Sequence, residues 1–331
     1  MDAVQFTRRL VDIESVTGNE ARVGEFIAAE LAGRGYTVQK MPVEAGRFNV
    51  YATRQARPDI VFSTHMDTVP PFIPSSEDGE KVYGRGSCDA KGIIAAQIAA
   101  AERLRAEGIH PALLFLVGEE HDSLGARMAN GQSPGSRFLI NGEPTENRVA
   151  VASKGALRVN LTARGRMAHS AYPELGDSAI DKLVEALHRL RSMMLPVHQE
   201  IGPTTMNIGI IEGGRATNVI SDLATAQLLY RLVGPAHELR QQIAEEVGTL
   251  AEVEFVLEIP FVKLRAPAGL PTMVAAFTTD IPALGNWGEP VLLGPGSIHV
   301  AHTEGEYISK QQLAEAIELY CAVARRLHAQ G

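Results

Sequence analysis

Apolar positions recur at two different spacings along this chain, and the change of spacing divides it. Residues 2 to 14 predict a helix. TGNEARVGEFIAAELAGRG predicts a second one, with Thr17 or Asn19 as its cap, Val23, Phe26, Ile27 and Leu31 on one face, and Gly33 or Gly35 as its stop. Short β-rich runs follow: FNVYATR (48 to 54), DIVFST (59 to 64), ALLFLVG (112 to 118) and SRFLIN (136 to 141), with a long apolar helix at 90 to 107 between the second and third. Strands that are apolar throughout and alternate with helices predict an α/β sheet covered on its faces.

From about Lys154 the order becomes strand (ALRVNLTARG), helix (SAIDKLVEALHRLRSMM), strand (TTMNIGIIEGG), strand (ATAQLLYRLVG), helix (AHELRQQIAEEVGTL) and strand (VEFVLEIPFV). That βαββαβ succession is the ferredoxin-like signature. The reading is therefore a first domain at 1–153 and 263–331, interrupted by an inserted α+β domain at 154–262. PTMVAAFTTDIPALG, the strand-like PVLLGPG and a final helix at 309 to 328 return to the first domain.

Composition narrows the function. At 331 residues with 45% hydrophobic positions, the chain can bury two cores. Its 31 basic and 39 acidic residues give a net charge of −8 without long runs, which excludes the basic footprint of a nucleic-acid binder. Apolar stretches such as GIIAAQIAAA fall short of the roughly 20 residues a membrane span needs, and MDAVQFTRRL has no signal-type apolar core. The expectation is a cytoplasmic protein with no membrane partner, whose two cysteines, Cys88 and Cys321, are free thiols.

Candidate chemistry gathers beyond the strand-like runs, where open α/β sheets place ligands. In THMD, extended geometry puts His65 and Asp67 on one side, so that the carboxylate can orient the imidazole or another group around a metal. Asp89, in GSCDAKG, is either a helix cap or a ligand able to bridge two cations. Glu119 and Glu120 would repel one another in a shared cleft unless cations or a shared proton offset them. With one glutamate on a cation, the other is free to accept a proton from water. Glu143 ends a further strand, and His299 and His302 are both available in GPGSIHVAHTEGEYI. Imidazole and carboxylate donors without a thiolate cluster suit Zn²⁺, Mn²⁺ or Co²⁺, and the residues together read as a metal-dependent hydrolase.

The ordered set STHMDTVP, YGRGSCDAKG, GEEHDSLGA, GEPT, GRMAHSAYPELGDSAI, EGGRATNVISD and GPGSIHVAHTEGEYI resembles the co-catalytic zinc aminoacylases and exopeptidases. That family includes acetylornithine deacetylase, succinyl-diaminopimelate desuccinylase and carboxypeptidase G. The resemblance spans essentially the whole chain and implies a zinc-exopeptidase-like catalytic domain with a mixed sheet covered by helices. It implies two divalent ions, Zn²⁺ foremost with Co²⁺ or Mn²⁺ as alternatives, one held by His65, Asp89 and Glu143, the other by Asp89, Glu120 and His302. Glu119 would be the general base and Asp67 the supporting carboxylate. His169 would reach a neighbouring subunit's site, Asn218 would contact substrate, and Arg231 would receive a substrate carboxylate.

The resemblance further implies a homodimer through the inserted domain. GPGSIHVAHTEGEYI and GRGSCDAKG look most like acetylornithine deacetylase, so the expected substrate is an N-acyl amino acid. A short peptide cleaved by a dipeptidase or carboxypeptidase is the alternative. The desuccinylase branch carries a Gly-Arg after its Thr-Ser-Asp run, whereas TTDIPALGNWG has none after Asp280. An inactive metal-binding homologue is the reading outside enzymes; paired glutamates kept together in a cleft argue against it.

Overall fold

A computed structural model describes residues 1–330. The chain divides into two compact units: Met1–Val151, Lys263–Met273 and the residues from Thr279 onward form the first, and Ala152–Val262 with Val274–Thr278 form the second. The short segment 274–278 departs from the boundaries expected from sequence. Lys154 N donates to Ala275 O (2.9 Å) and Ser153 Oγ to Phe277 O (2.7 Å), which ties it to the second unit.

Six neighbouring strands of a nine-stranded sheet follow the order Thr37–Glu44, Arg47–Thr53, Ala112–Leu116, Ile60–His65, Phe138–Asn141, Glu289–Leu292. The last four run parallel, and the first two add an antiparallel edge. Parallel strands need covering on both faces. Every residue of Ile60–His65 and Ala112–Leu116 is buried accordingly. The helix Lys91–Arg105 is enclosed from Lys91 through Ala101, with Ile93, Ile94, Ile98 and Leu104 in one core with Phe62 and with Tyr320 of the helix Lys310–His328. Each such side chain contributes roughly 1.5–3 kcal/mol.

Two local expectations change. The first helix is shorter than 2 to 14, spanning Ala3–Val11 with the Asp2 carboxylate capping Val4 N and Gln5 N. The second, Ala21–Gly33, is preceded by Glu20 without any side-chain cap, so neither Thr17 nor Asn19 serves there. Among the described residues no helix is long and apolar enough to cross a membrane, and both cysteines are buried and unpaired.

The second unit has the expected βαββαβ core: Gly155–Arg164, helix Ala179–Ser192, Thr205–Gly213, Leu223–Leu232, helix His237–Val247 and Glu252–Ile259. Its sheet runs 205–213, 223–232, 155–164, 252–259, all antiparallel. Leu157, Val159 and Leu161 alternate inward on the central strand against Leu183, Leu187, Leu190, Leu239 and Ile243.

Candidate metal centre

The parallel strands deliver the chemistry at their carboxyl ends. His65 is the last residue of its strand, Glu119 and Glu120 follow Ala112–Leu116, and Glu143 follows Phe138–Asn141. Asp89 stands just before the helix Lys91–Arg105 and does not cap it; the capping position is Ala90, without a side-chain bond. Gly86 lets the preceding loop fold tightly: its φ is +85°, and a Cβ there would meet Thr68 Cγ2 at 2.8 Å. His302 is held in the left-handed region at φ +62°, a conformation that costs a residue with a side chain about 1 kcal/mol or more.

These side chains converge. His65 Nε2 lies 2.9 Å from Asp89 Oδ1, and His302 Nε2 lies 3.0 Å from Glu120 and 3.4 Å from Asp89 Oδ2. Donor atoms of His65, Asp89 and Glu120 all fall within 4.8 Å of one another. His299, exposed on the same loop as His302, makes no such contact.

Asp67 is a hub beneath the cluster. It is wholly buried, lies 3.5 Å from His65 Nδ1 through Oδ1, and accepts from Glu119 N (3.1 Å), Glu120 N (3.2 Å) and Thr17 Oγ1 (2.8 Å). Its main-chain oxygen takes the bond from His65 Nδ1 at 3.0 Å. That leaves Nε2 of His65 facing Asp89, the orientation a metal-ligating imidazole requires.

The electrostatics show what is lacking. Burial pushes the Glu119, Glu120 and Glu143 carboxyls upward and neighbouring carboxylates push further, with His302 partly offsetting the effect at Glu120. Burial alone would depress His65, but Asp67 and Asp89 hold it well above the usual imidazole value. Hydrogen bonds to Asp89 and Glu120 carry His302 up to about 10. Protons are thus retained where several acids crowd together, and Glu143 Oε1 is buried with no hydrogen-bond partner among the described residues. Divalent cations fit this donor set: they supply the missing positive charge and a partner for the orphaned oxygen. Cys88 belongs to the packing; it is fully buried, and burial pushes its thiol well up, so it is no nucleophile.

Sequence reasoning missed Asp280 as a member of this environment. It is 1% exposed, neither carboxylate oxygen is within hydrogen-bond geometry of a partner among the described residues, and burial raises it to about 7, with nearby Ser123 partly offsetting the rise. It entered the sequence reading only as the site of a departure from a motif; its burial near His65 and Asp67 is visible only in three dimensions.

The remaining candidates lie in the second unit. His169 is exposed in a two-residue strand paired with Val219–Ile220, and its Nδ1 accepts from Ala171 N at 3.1 Å, which puts the proton of a neutral ring on Nε2. Asn218 is exposed, and its main-chain oxygen accepts from Ser170 N at 3.0 Å. Arg231 is half-buried at the end of Leu223–Leu232 and has no carboxylate partner among the described residues.

A family model described as a peptidase dimerisation domain matches residues 151–255. A peptidase M20 domain-containing protein of Schizosaccharomyces pombe is 39% identical over 332 residues, covering 96% of this chain and 82% of its own length. A probable carboxypeptidase of Aspergillus fumigatus is 37% identical over 373 residues, covering 96% and 84%. In fold, the structure of aminopeptidase PepT from Bacillus cereus matches with a TM-score of 0.83 at 23% identity, over 99% of this chain and 98% of that one.

Proposed function

The chain belongs to the M20 peptidase family of metal-dependent hydrolases, and on that premise we propose that it is an exopeptidase of carboxypeptidase or dipeptidase type, acting on short peptides with a free carboxylate. The observation that carries this reading is the convergence of His65, Asp89, Glu120 and His302 beside a glutamate, Glu119, whose carboxylate makes no hydrogen bond among the described residues. The sequence pointed first to an N-acyl amino acid of the acetylornithine kind. Relatives named carboxypeptidases support the peptide reading instead.

In this reading His65, Asp89 and Glu143 would hold one divalent ion and Asp89, Glu120 and His302 the other. Zn²⁺ leads, with Co²⁺ or Mn²⁺ as alternatives. Such ions supply Lewis acidity, lowering the pKa of water from 15.7 toward about 7 and polarising a carbonyl oxygen. Glu119 takes the proton from the attacking water and returns it to the leaving amine nitrogen. Asp67 keeps the His65 ring and the Glu119–Glu120 backbone in place.

His169, with its Nε2–H outward, donates to the developing oxyanion. Arg231 grips both oxygens of the substrate's carboxylate, and Asn218 orients the peptide. A half-buried guanidinium without an acid partner suits that task.

A homodimer through the second unit is part of the proposal. Thr205–Gly213 is an edge strand with Ile210 and Ile211 exposed, and Ile180 and Val184 are exposed on the helix Ala179–Ser192. Buried, unpaired cysteines support a reducing, cytoplasmic setting.

The test is a substrate panel. Metal-stripped protein is reloaded with Zn²⁺, Co²⁺ or Mn²⁺ and given dipeptides, their C-terminally amidated forms and N-acetyl amino acids. Dipeptides with a free carboxylate should turn over fastest; a preference for N-acetyl amino acids would replace the exopeptidase reading with the deacylase one. Metal uptake with no hydrolysis of any class would make the chain a binder only.

A further inference from the structure

Glu306 and Arg85 form a buried ion pair outside the proposed ligand set, at 2.7 Å, with side chains 0% and 2% exposed. One carboxylate oxygen, Oε1, accepts three main-chain N–H groups in succession: Gly86 (2.9 Å), Cys88 (3.1 Å) and Asp89 (3.1 Å). Glu306 O accepts a fourth, from Gly84 at 3.1 Å. The loop that ends in Asp89 is therefore wrapped around a single carboxylate.

Arg85 faces the other way as well. Besides Oε2 of Glu306, its guanidinium donates to the main-chain oxygen of Thr303 (3.2 Å), the residue after His302, and to Pro71 O (3.4 Å). One pair thus fastens two loops more than 200 positions apart, and each presents a side chain to the same cluster.

A buried ion pair is poor evidence of a stability device, since apolar side chains of similar volume serve as well or better. What an apolar pair could not do is address three N–H groups on one loop and a carbonyl on another. We propose that Arg85 and Glu306 are positioning residues whose clip sets the separation of Asp89 and His302, and so the affinity of the second cation position. The inference rests on the two-cation reading above. Glu306 Oε1 takes three N–H groups of the Asp89 loop, while the Arg85 guanidinium reaches Thr303 O, next to the left-handed residue His302.

The experiment compares wild type with Arg85→Lys and Glu306→Gln. Cation-free protein is titrated with Zn²⁺ by calorimetry and with Co²⁺ by visible absorption. Wild type should bind two ions. Arg85→Lys keeps the charge beside Glu306 but cannot reach Thr303, so one binding event should weaken by about 10–100-fold while the other stays within a few-fold. Glu306→Gln keeps an oxygen for the three N–H groups and should show a smaller loss with the same Co²⁺ band affected. Melting with excess cation should match wild type for Arg85→Lys, which keeps the charge pair, and lie lower for Glu306→Gln, which leaves the buried guanidinium uncompensated.

Variants that fold and bind both ions with wild-type affinity sink the clip alone, as does an equal loss of both ions together with thermal stability. Should Arg85→Lys fail to fold, Glu306→Gln decides; should neither fold, the pair is a stability element and the proposal falls. Wild-type protein that takes up no cation at all would overturn the metal reading from which the clip follows.

Discussion

The two units place most of their candidate functional residues in opposite circumstances, exposed His302 being the exception in the first. In the first, His65, Asp67, Asp89 and Glu143 are each 5% exposed or less, and Asp67 alone meets His65, Thr17 and the backbone of both following glutamates. In the second, His169 and Asn218 are exposed, and Arg231 is without a carboxylate partner. Under the proposed function the contrast separates two kinds of work. Groups that hold cations and move protons must be in place beforehand, because reorganising charge during the reaction is costly. Groups that meet substrate need only be reachable, and their partner arrives with it.

If that division holds, substitution in the first unit should act on turnover. Glu119→Gln keeps the side chain's shape but removes its basicity, so cation content should stay at the wild-type level while kcat falls by about 10²–10⁴-fold. Measuring both on the same preparation breaks the comparison if turnover survives, since the uncommitted carboxylate would then be idle. Arg231→Met belongs to the other class. Loss of a charge-assisted contact should cost about 10–100-fold in kcat/KM on peptides with a free carboxylate and almost nothing on amidated ones. An equal loss on both substrates would show that Arg231 supports the fold and not the substrate.

The same contrast governs what the sequence disclosed. Strand ends were legible because an apolar run stops where a charged fragment begins, as at His65 and Glu119, and the βαββαβ order was legible from the change of period after Lys154. The strand Thr37–Glu44 was not, since only Met41 is buried along it and an edge strand carries little alternation. Thr17 reads as a cap from sequence yet donates to Asp67, fifty positions away. Local propensity carries no trace of such a partner. The choice of His302 over His299 rests on resemblance; in the fold the His302 ring lies 3.0 Å from Glu120 and 3.4 Å from Asp89. The roles of Arg85 and Glu306, like the environment of Asp280, depend on packing between distant segments.

A smaller effect sharpens the reading of the second unit. Ile211 is 59% exposed on the edge strand. If that edge joins two copies, Ile211→Asp should raise the dimer dissociation constant by roughly tenfold or more, the worth of one partly buried apolar side chain. Sedimentation across a dilution series measures it. Activity per chain should fall with the dimer if His169 serves the neighbouring site; a variant that is monomeric and fully active would detach His169 from the chemistry.

The smallest expected effect concerns pH and tests whether crowded charge in the first unit is what cations relieve. Glu119, Glu120 and Glu143 are raised by burial and by neighbouring carboxylates, and His302 is raised to about 10 by its hydrogen bonds to Asp89 and Glu120. Groups raised in the folded state bind more protons there than in the unfolded chain. Their stabilisation is complete below the ordinary carboxylate and imidazole values and is lost as pH rises through the folded ones. Asp67 and Asp89 are lowered and act in the opposite sense, but only in acid, below about pH 4. Cation-free protein should therefore melt a few degrees lower at about pH 8 than at about pH 6, whereas protein with excess Co²⁺ should change little, since the ions displace the same protons. The stabilisation on adding metal then grows with pH. Two melting curves that stay parallel across that interval would mean that the ions settle elsewhere, and that the crowded carboxylates of the first unit are not their seat.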